Sequence, residues 1–242
     1  WIEWEVTVPE DGLYEISIKG RQNYQRGFVS NRAVYIDGVI PFKEVSAIPF
    51  KYDNAWEMLT LSDAEGNPYQ FALTAGTHTV RLEVTLGELG AILNDMEDSV
   101  FRLNQMYRKI LVLTGTEPDE FRDYQLGKVY PEVIEAMGLE SKRLYRMVDE
   151  IVAYTGQKAS QIAAAQTLAT QLERFVKNPD KIPPTMMNFK ENISSLGTSI
   201  QTLSEAPLDI DYIVVAASGH AVTAKKETFL KKAVHEIRSF VS

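Results

Sequence analysis

Strict alternation of apolar and polar residues marks the first part of the chain. In Trp1–Val8, Ile2, Trp4, Val6 and Val8 fall on one face, and Trp1, Glu3, Glu5 and Thr7 on the other. In Thr77–Leu86, His78, Val80, Leu82, Val84 and Leu86 alternate with polar residues in the same way. A period of two predicts strands with one wet face. Leu13–Lys19 and Ala33–Asp37 are two further strands, and Glu57–Leu61 a short one. Pro9-Glu10-Asp11-Gly12 and Ala75-Gly76-Thr77 are turns. Gly20–Arg32 and most of Val39–Asn67 read as loops.

From about Gly87 the period changes. Leu89, Leu93, Met96, Val100, Leu103, Ile110 and Leu113 recur every three or four residues, which predicts one long amphipathic helix ended by Gly115. Pro118 and Pro131 suit the first turns of short helices. Lys142–Tyr154, Lys158–Lys177 and Asn188–Glu205 are expected as further helices, with breaks at Pro179 and at Pro183-Pro184. Four or five helices joined by short loops imply an antiparallel bundle with Leu89–Leu113 as its spine. The β-branched run in Leu208–Ala216 then predicts a strand, and Ala224–Ser242 a terminal helix. The expected fold is α+β: a β-sandwich from residues 1–87 and 207–218, interrupted by a helical bundle at 88–206. A connecting helix at 219–242 ends the chain.

Composition narrows the function. The chain has 242 residues, 45% hydrophobic, with a net charge of −8. That balance argues against a nucleic-acid partner, which needs clustered Lys and Arg. No apolar run approaches the roughly 20 residues of a membrane span, so no membrane insertion is expected. The absence of cysteine excludes disulfides, thiolate zinc sites and thiol catalysis. The chain opens inside a strand and closes inside a helix, as a piece of a larger protein would.

The strand segments share a recognisable pattern. Trp4–Tyr14 (WEVTVPEDGLY), Val34–Gly38 (VYIDG), Leu73–Leu82 (LTAGTHTVRL) and Ile210–Val214 (IDYIV) resemble, in that order, strands of carbohydrate-binding modules with a galactose-binding-like jelly roll. The segments Leu86–Gly90, Asn192–Thr198, Pro207–Tyr212 and His235–Phe240 resemble the N-terminal region of large extracellular solute-binding proteins of Gram-positive sugar ABC transporters. The resemblance implies an extracellular parent lipoprotein anchored at the cell surface. Its other partners would be the rest of that protein and the ABC permease. It differs from ordinary carbohydrate-binding modules in its long helical insertion. It also lacks the usual preceding strand, whose acidic residue helps to hold a structural calcium.

Carbohydrate is the candidate ligand. Asn23, Tyr24, Arg26, Asn31, Tyr52, Asn54 and Trp56 form an aromatic and polar set in predicted loops. Sugars stack their C–H faces on aromatic rings, while amides, Arg and carboxylates take the hydroxyls. The resemblance places a sugar-stacking aromatic near Trp56. The other reading of Trp56, Tyr52 and Phe50 is that they pack the long loop onto the sandwich. Asp209 and Asp211 lie on one side of a strand. The resemblance would make Asp211 a ligand of structural calcium. A solvated strand face or a bond to the insertion is the competing account. No cofactor is otherwise required.

No enzyme motif stands out. His78 on its apolar strand face reads as a satisfied core histidine. His235-Glu236 lacks the second His of a zinc-protease motif, and Ser218-Gly219-His220 is not a nucleophile elbow. Lys225, Lys226, Lys231 and Lys232 read as a solvated face that could meet an acidic surface or anionic lipid. The expectation is a non-catalytic accessory region that either binds carbohydrate or serves as a structural scaffold.

Overall fold

A computed structural model describes residues 1–119, 121–156 and 160–219. The expected helix at 224–242, with His220, His235 and the four late lysines, lies outside the described residues. The architecture is mixed: antiparallel sheets followed by a helical bundle, with one further strand after it.

The sheets are built from β1 (Ile2–Val8), β2 (Gly12–Arg21), β3 (Val29–Ile36), β4 (Ile48–Lys51), β5 (Glu57–Thr60), β6 (Phe71–Leu73) and β7 (Gly76–Thr85). One sheet runs β1-β7-β3-β4. In the other, β2 is flanked by β5 and β6 on its path and also pairs with β8 (Asp209–Ala217). The β2–β8 register runs from Tyr14↔Ala217 to Arg21↔Asp209, with an irregularity between Lys19 and Gly20. Both sheets feed one apolar core. Tyr14, Ile16 and Ile18 of β2 meet Val34 of β3, Phe50 of β4 and Val80 and Leu82 of β7.

Two sequence expectations for this part are corrected. Residues 29–32 belong to β3 rather than to a loop, and β4 and β6 emerge from stretches that carry no alternation long enough to read. His78 is satisfied as expected, but at the mouth of a turn and by polar partners. Its Nδ1 lies 2.6 Å from Asp37 Oδ2 and its Nε2 2.8 Å from the Thr74 carbonyl.

The bundle comprises α1 (Leu89–Thr114), the single turn α2 (Leu126–Val129), α3 (Pro131–Thr155), α4 (Ala163–Lys177) and α5 (Met186–Ser204). The long helices pack in a ring: α1 against α3 and α5, and α4 against the same two. Cross-links fix their directions. Asp95 meets Arg146, Arg102 meets Glu140 and Lys109 meets Glu132, so α3 runs back along α1. Gly115, at φ 75, ends α1, a conformation that favours glycine.

Further corrections concern the helices. Pro118 does not start a helix, and α3 begins eleven residues before Lys142, at Pro131, making it nearly as long as α1. Its apolar stripe is broken by Glu140 and Ser141, both buried. Each is satisfied internally. The Glu140 carboxylate accepts from Arg102 at 2.8 and 2.9 Å, from Ser99 Oγ at 2.5 Å and from Arg143 at 3.2 Å. Burial pushes the Glu140 carboxyl up, but the Arg102 and Ser99 hydrogen bonds outweigh it and hold it below the usual range.

The chain crosses between sheets and bundle twice, at Leu86-Gly87-Glu88 and at Glu205–Leu208, and β3 holds both crossings. Ser30 Oγ donates to the Pro207 carbonyl at 2.7 Å, and Arg32 Nη2 to the Ala206 carbonyl at 3.0 Å. Asn31 Nδ2 donates to the Leu86 carbonyl at 3.3 Å, while Asn31 Oδ1 accepts from the Tyr154 hydroxyl of α3 at 3.2 Å. Gly87 sits at φ 54, and a Cβ there would meet Ala47 Cβ at 3.2 Å and Asn31 Nδ2 at 3.4 Å. A side chain would therefore be strained and crowded at the point where strand turns into helix. Phe28, from the loop before β3, is buried in the bundle's apolar core.

Candidate carbohydrate-binding surface

Gln22 shapes the loop after β2. Its buried amide donates to the carbonyls of Gln25 and Phe28, both at 3.1 Å, and its Oε1 accepts the backbone N–H of Tyr24 and Gln25. Tyr24 is thereby held at the outer edge of the turn. Arg21 ends β2 directly opposite Asp209, which opens β8. Trp56 immediately precedes β5, whose first residue Glu57 pairs with Gly20. Three separate segments thus converge because β5 and β8 both pair with the same end of β2.

The convergence is chemical as well as spatial. Arg21 donates to Asp209 Oδ2 at 2.8 Å from Nη2 and 3.3 Å from Nε. The Tyr24 hydroxyl donates to Asp209 Oδ1 at 2.7 Å. The Arg21 guanidinium lies over the Trp56 ring, 4.7 Å from its centroid. Partial burial pushes the Asp209 carboxyl up, but hydrogen bonds from Tyr24 and Arg21 outweigh it and keep the group below the usual carboxylate range. The same hydrogen bond raises the Tyr24 phenol, because losing its proton would set two negative charges together.

This cluster borders an open groove of about 550 Å³ between the two sheets. Trp1, Ile2, Trp56, Asp209 and Ile210 are among its walls. Trp56 is 37% exposed and Trp1 77%, so both indoles reach solvent. The groove therefore combines apolar walls and two accessible aromatic rings with the fixed Asp209 carboxylate at its rim, and the Arg21 guanidinium lies against the Trp56 ring.

The sequence-predicted residues divide. Trp56 and Tyr24 are joined through Arg21 and Asp209. Tyr52 donates to Asn54 Oδ1 at 3.1 Å in the turn just before Trp56, and that turn is tied to the Gln22 loop by the Asp53 N–H to Gln22 carbonyl bond. Asn23 is half-buried, with its Oδ1 enclosed and unpartnered among the described residues. Arg26 is exposed on the same loop. Asn31 was expected in a loop with the others. It is 1% exposed in β3 and spends both ends of its amide on the crossing to the bundle, which removes it from the groove.

Asp211 does not fit the calcium role. It pairs with Lys19 at 3.0 Å, and a cation beside it opposes a second. Among the described residues no three His, Cys, Asp or Glu side chains cluster in a way that could hold a metal ion. Arg21 and Asp209 form the pair beside the groove that the sequence did not reveal as a pair. Only the register of β8 on β2 brings them together, and no local signal encodes it.

Among the described residues no helix is long and apolar enough to cross a membrane. No curated protein matches the chain. A solved structure, cycloisomaltooligosaccharide glucanotransferase of Paenibacillus sp. complexed with cycloisomaltoheptaose, is similar over 33% of this chain and 10% of its own, at 29% sequence identity and a TM-score of 0.25. Residues 91–206, which span the bundle, match the family described as bacterial solute-binding protein, 4-helix bundle domain, and this supports a fragment of such a solute-binding protein.

Proposed function

We propose that the chain is a non-catalytic, carbohydrate-contacting accessory region of a sugar-transport solute-binding protein, with a galactose-binding-like jelly roll presenting the groove at Trp56. The observation that carries this reading is the Trp56 ring, braced on one side by Arg21 and bordering a groove with Asp209 at its rim. A braced indole is a rigid stacking platform, and a neighbouring carboxylate and guanidinium suit sugar hydroxyls. The family match of the bundle supports the transport setting. In that setting the parent is extracellular, held at the surface of a Gram-positive cell as a lipoprotein, and works with an ABC permease.

The non-catalytic part of the proposal rests on Asp209. Both of its oxygens accept hydrogen bonds, and its carboxyl is held ionised. It is therefore a poor general acid, while its three hydrogen bonds leave about one of its four lone-pair sites for a sugar hydroxyl. Calcium has no part in the proposal.

Tryptophan fluorescence during titration with neutral oligosaccharides tests the reading. A saturable response is expected in the wild type and in Trp1→Phe, and its loss in Trp56→Ala. Persistence of the response in Trp56→Ala would remove Trp56 from the site.

A second reading, a scaffold that orients the bundle without touching sugar, is favoured by the Ser30, Asn31 and Arg32 contacts to both crossings. Silence of the folded protein toward every oligosaccharide would select it.

A further inference from the structure

The bundle carries a second groove, of about 560 Å³, between α4 and α5 and the turns that join them. Its composition is unlike that of the chain as a whole. The sequence has 33 acidic and 25 basic residues, yet no Asp or Glu lines this groove. It is lined instead by Arg174, Lys181, the amides Gln166, Gln171, Asn188 and Asn192, and threonines. Phe175 closes the floor, held edge-on against Phe189 at 5.4 Å.

The two cations are uncommitted. Neither Arg174 nor Lys181 forms a salt bridge among the described residues, whereas nearby Lys177 pairs with Glu173 at 3.0 Å. The amides are partly fixed: Asn192 Nδ2 donates to Gln171 Oε1 at 2.8 Å, which leaves the Gln171 amide nitrogen free to donate and the Asn192 oxygen free to accept. The groove thus sets two positive charges and several side-chain amides around a largely apolar surface, with no carboxylate. Neutral sugars do not need those cations, and an oxyanion does.

We propose that the α4–α5 groove binds an acidic glycan, with Arg174 and Lys181 taking its oxyanions and Gln171, Asn188 and Asn192 taking its hydroxyls. The oxyanion is either a phosphodiester or a uronic carboxylate, and both present the same chemistry to this pair of cations. The site is separate from the groove at Trp56, so either stands if the other fails.

Calorimetric titration of the full chain at low salt is the test, with poly(glycerol phosphate) and polygalacturonate as separate ligands and dextran as the neutral control. Binding of at least one acidic polymer is expected, and any heat from dextran should vanish in Trp56→Ala, because a neutral glycan belongs to the other groove. Loss of two charge-assisted contacts in Arg174→Ala/Lys181→Ala should weaken that binding roughly tenfold or more. The response is expected to fade as salt rises. Both side chains are exposed, so the double variant should fold, and circular dichroism checks it. Lys177→Ala, which removes an already paired cation, should leave affinity unchanged. Trp56→Ala should also leave it unchanged, which separates the two grooves. Absence of binding by either acidic polymer, an unaltered affinity in the double variant, or an equal loss in Lys177→Ala would overturn the proposal.

Discussion

Arg21 and Asp209 are 188 positions apart in the chain yet opposite one another on β2 and β8. Their ion pair is partly exposed, so its own contribution to stability is small, about 1 kcal/mol or less. Its larger effect is positional: it fixes the guanidinium over Trp56 and gives Tyr24 its acceptor. Asp209→Ala is expected to shift the denaturation midpoint only slightly. It should let the Tyr24 phenol titrate at lower pH than in the wild type, which NMR of ring-labelled tyrosine would detect. A Tyr24 titration unmoved by the substitution would contradict the hydrogen bond. His78 offers a second residue-scale test. Both of its ring nitrogens face acceptors, the Asp37 carboxylate and the Thr74 carbonyl, and only the doubly protonated ring satisfies both. The hydrogen bond to Asp37 raises the His78 value above its ordinary 6.5, and the bond to His78 lowers Asp37 below its ordinary 3.8. The His78 contribution is therefore fully present below about pH 6.5 and is lost as pH rises through the raised value. The Asp37 contribution is present above about pH 3.8 and is lost as pH falls through the lowered value. Stability measured against pH should show both losses in the wild type, and His78→Gln should remove the alkaline one.

At the scale of elements, two buried groups hold the bundle in its arrangement. Glu140 ties α3 to Ser99 and Arg102 of α1. Removing one side of such a buried network, as in Glu140→Ala, should cost about 3 kcal/mol by chemical denaturation. Phe28→Ala should cost about 3–4 kcal/mol, because it empties an aromatic site in the bundle core. A loss under about 1 kcal/mol in either variant would mean that the packing is looser than described. The same elements explain what could be read from the sequence. The alternation in β1 and β7, the β-branched run of β8 and the stripe of α1 declared themselves, because each packs apolar side chains against a core. The stripe of α3 was interrupted where Glu140 and Ser141 are buried and satisfied by partners distant in sequence. The start of β3 was hidden for the same reason, since Ser30, Asn31 and Arg32 look like loop residues until the crossings they hold are known. β4 and β6, at four and three residues, are too short to show a period. In the candidate groove Trp56 and Tyr24 were legible as aromatics in loops, while Arg21 and Asp209 depended on strand register.

Taken whole, the molecule is a sheet domain opened at one edge to admit a bundle and closed again by β8. Both crossings are fastened to β3 and are backed by Phe28, so the two parts should move as one body. Arg32→Ala, which strips the buried hydrogen bond to the Ala206 carbonyl, is expected to lower the stability of both parts together. Hydrogen exchange would then rise in β2 and α5 alike, whereas a rise confined to one of them would indicate independent units. A rigid joint would suit the proposed role, in which the groove beside Trp56 is held at a fixed distance from the rest of a solute-binding protein. The groove beside Trp56 is proposed to contact carbohydrate. NMR chemical-shift mapping during titration with neutral oligosaccharides tests it most directly. The expected result is saturable shifts of the Trp56 indole N–H and the Arg21 side-chain N–H, with the bundle core unmoved. Saturable binding whose shifts fall elsewhere, or no shift at all with any oligosaccharide, would contradict the account.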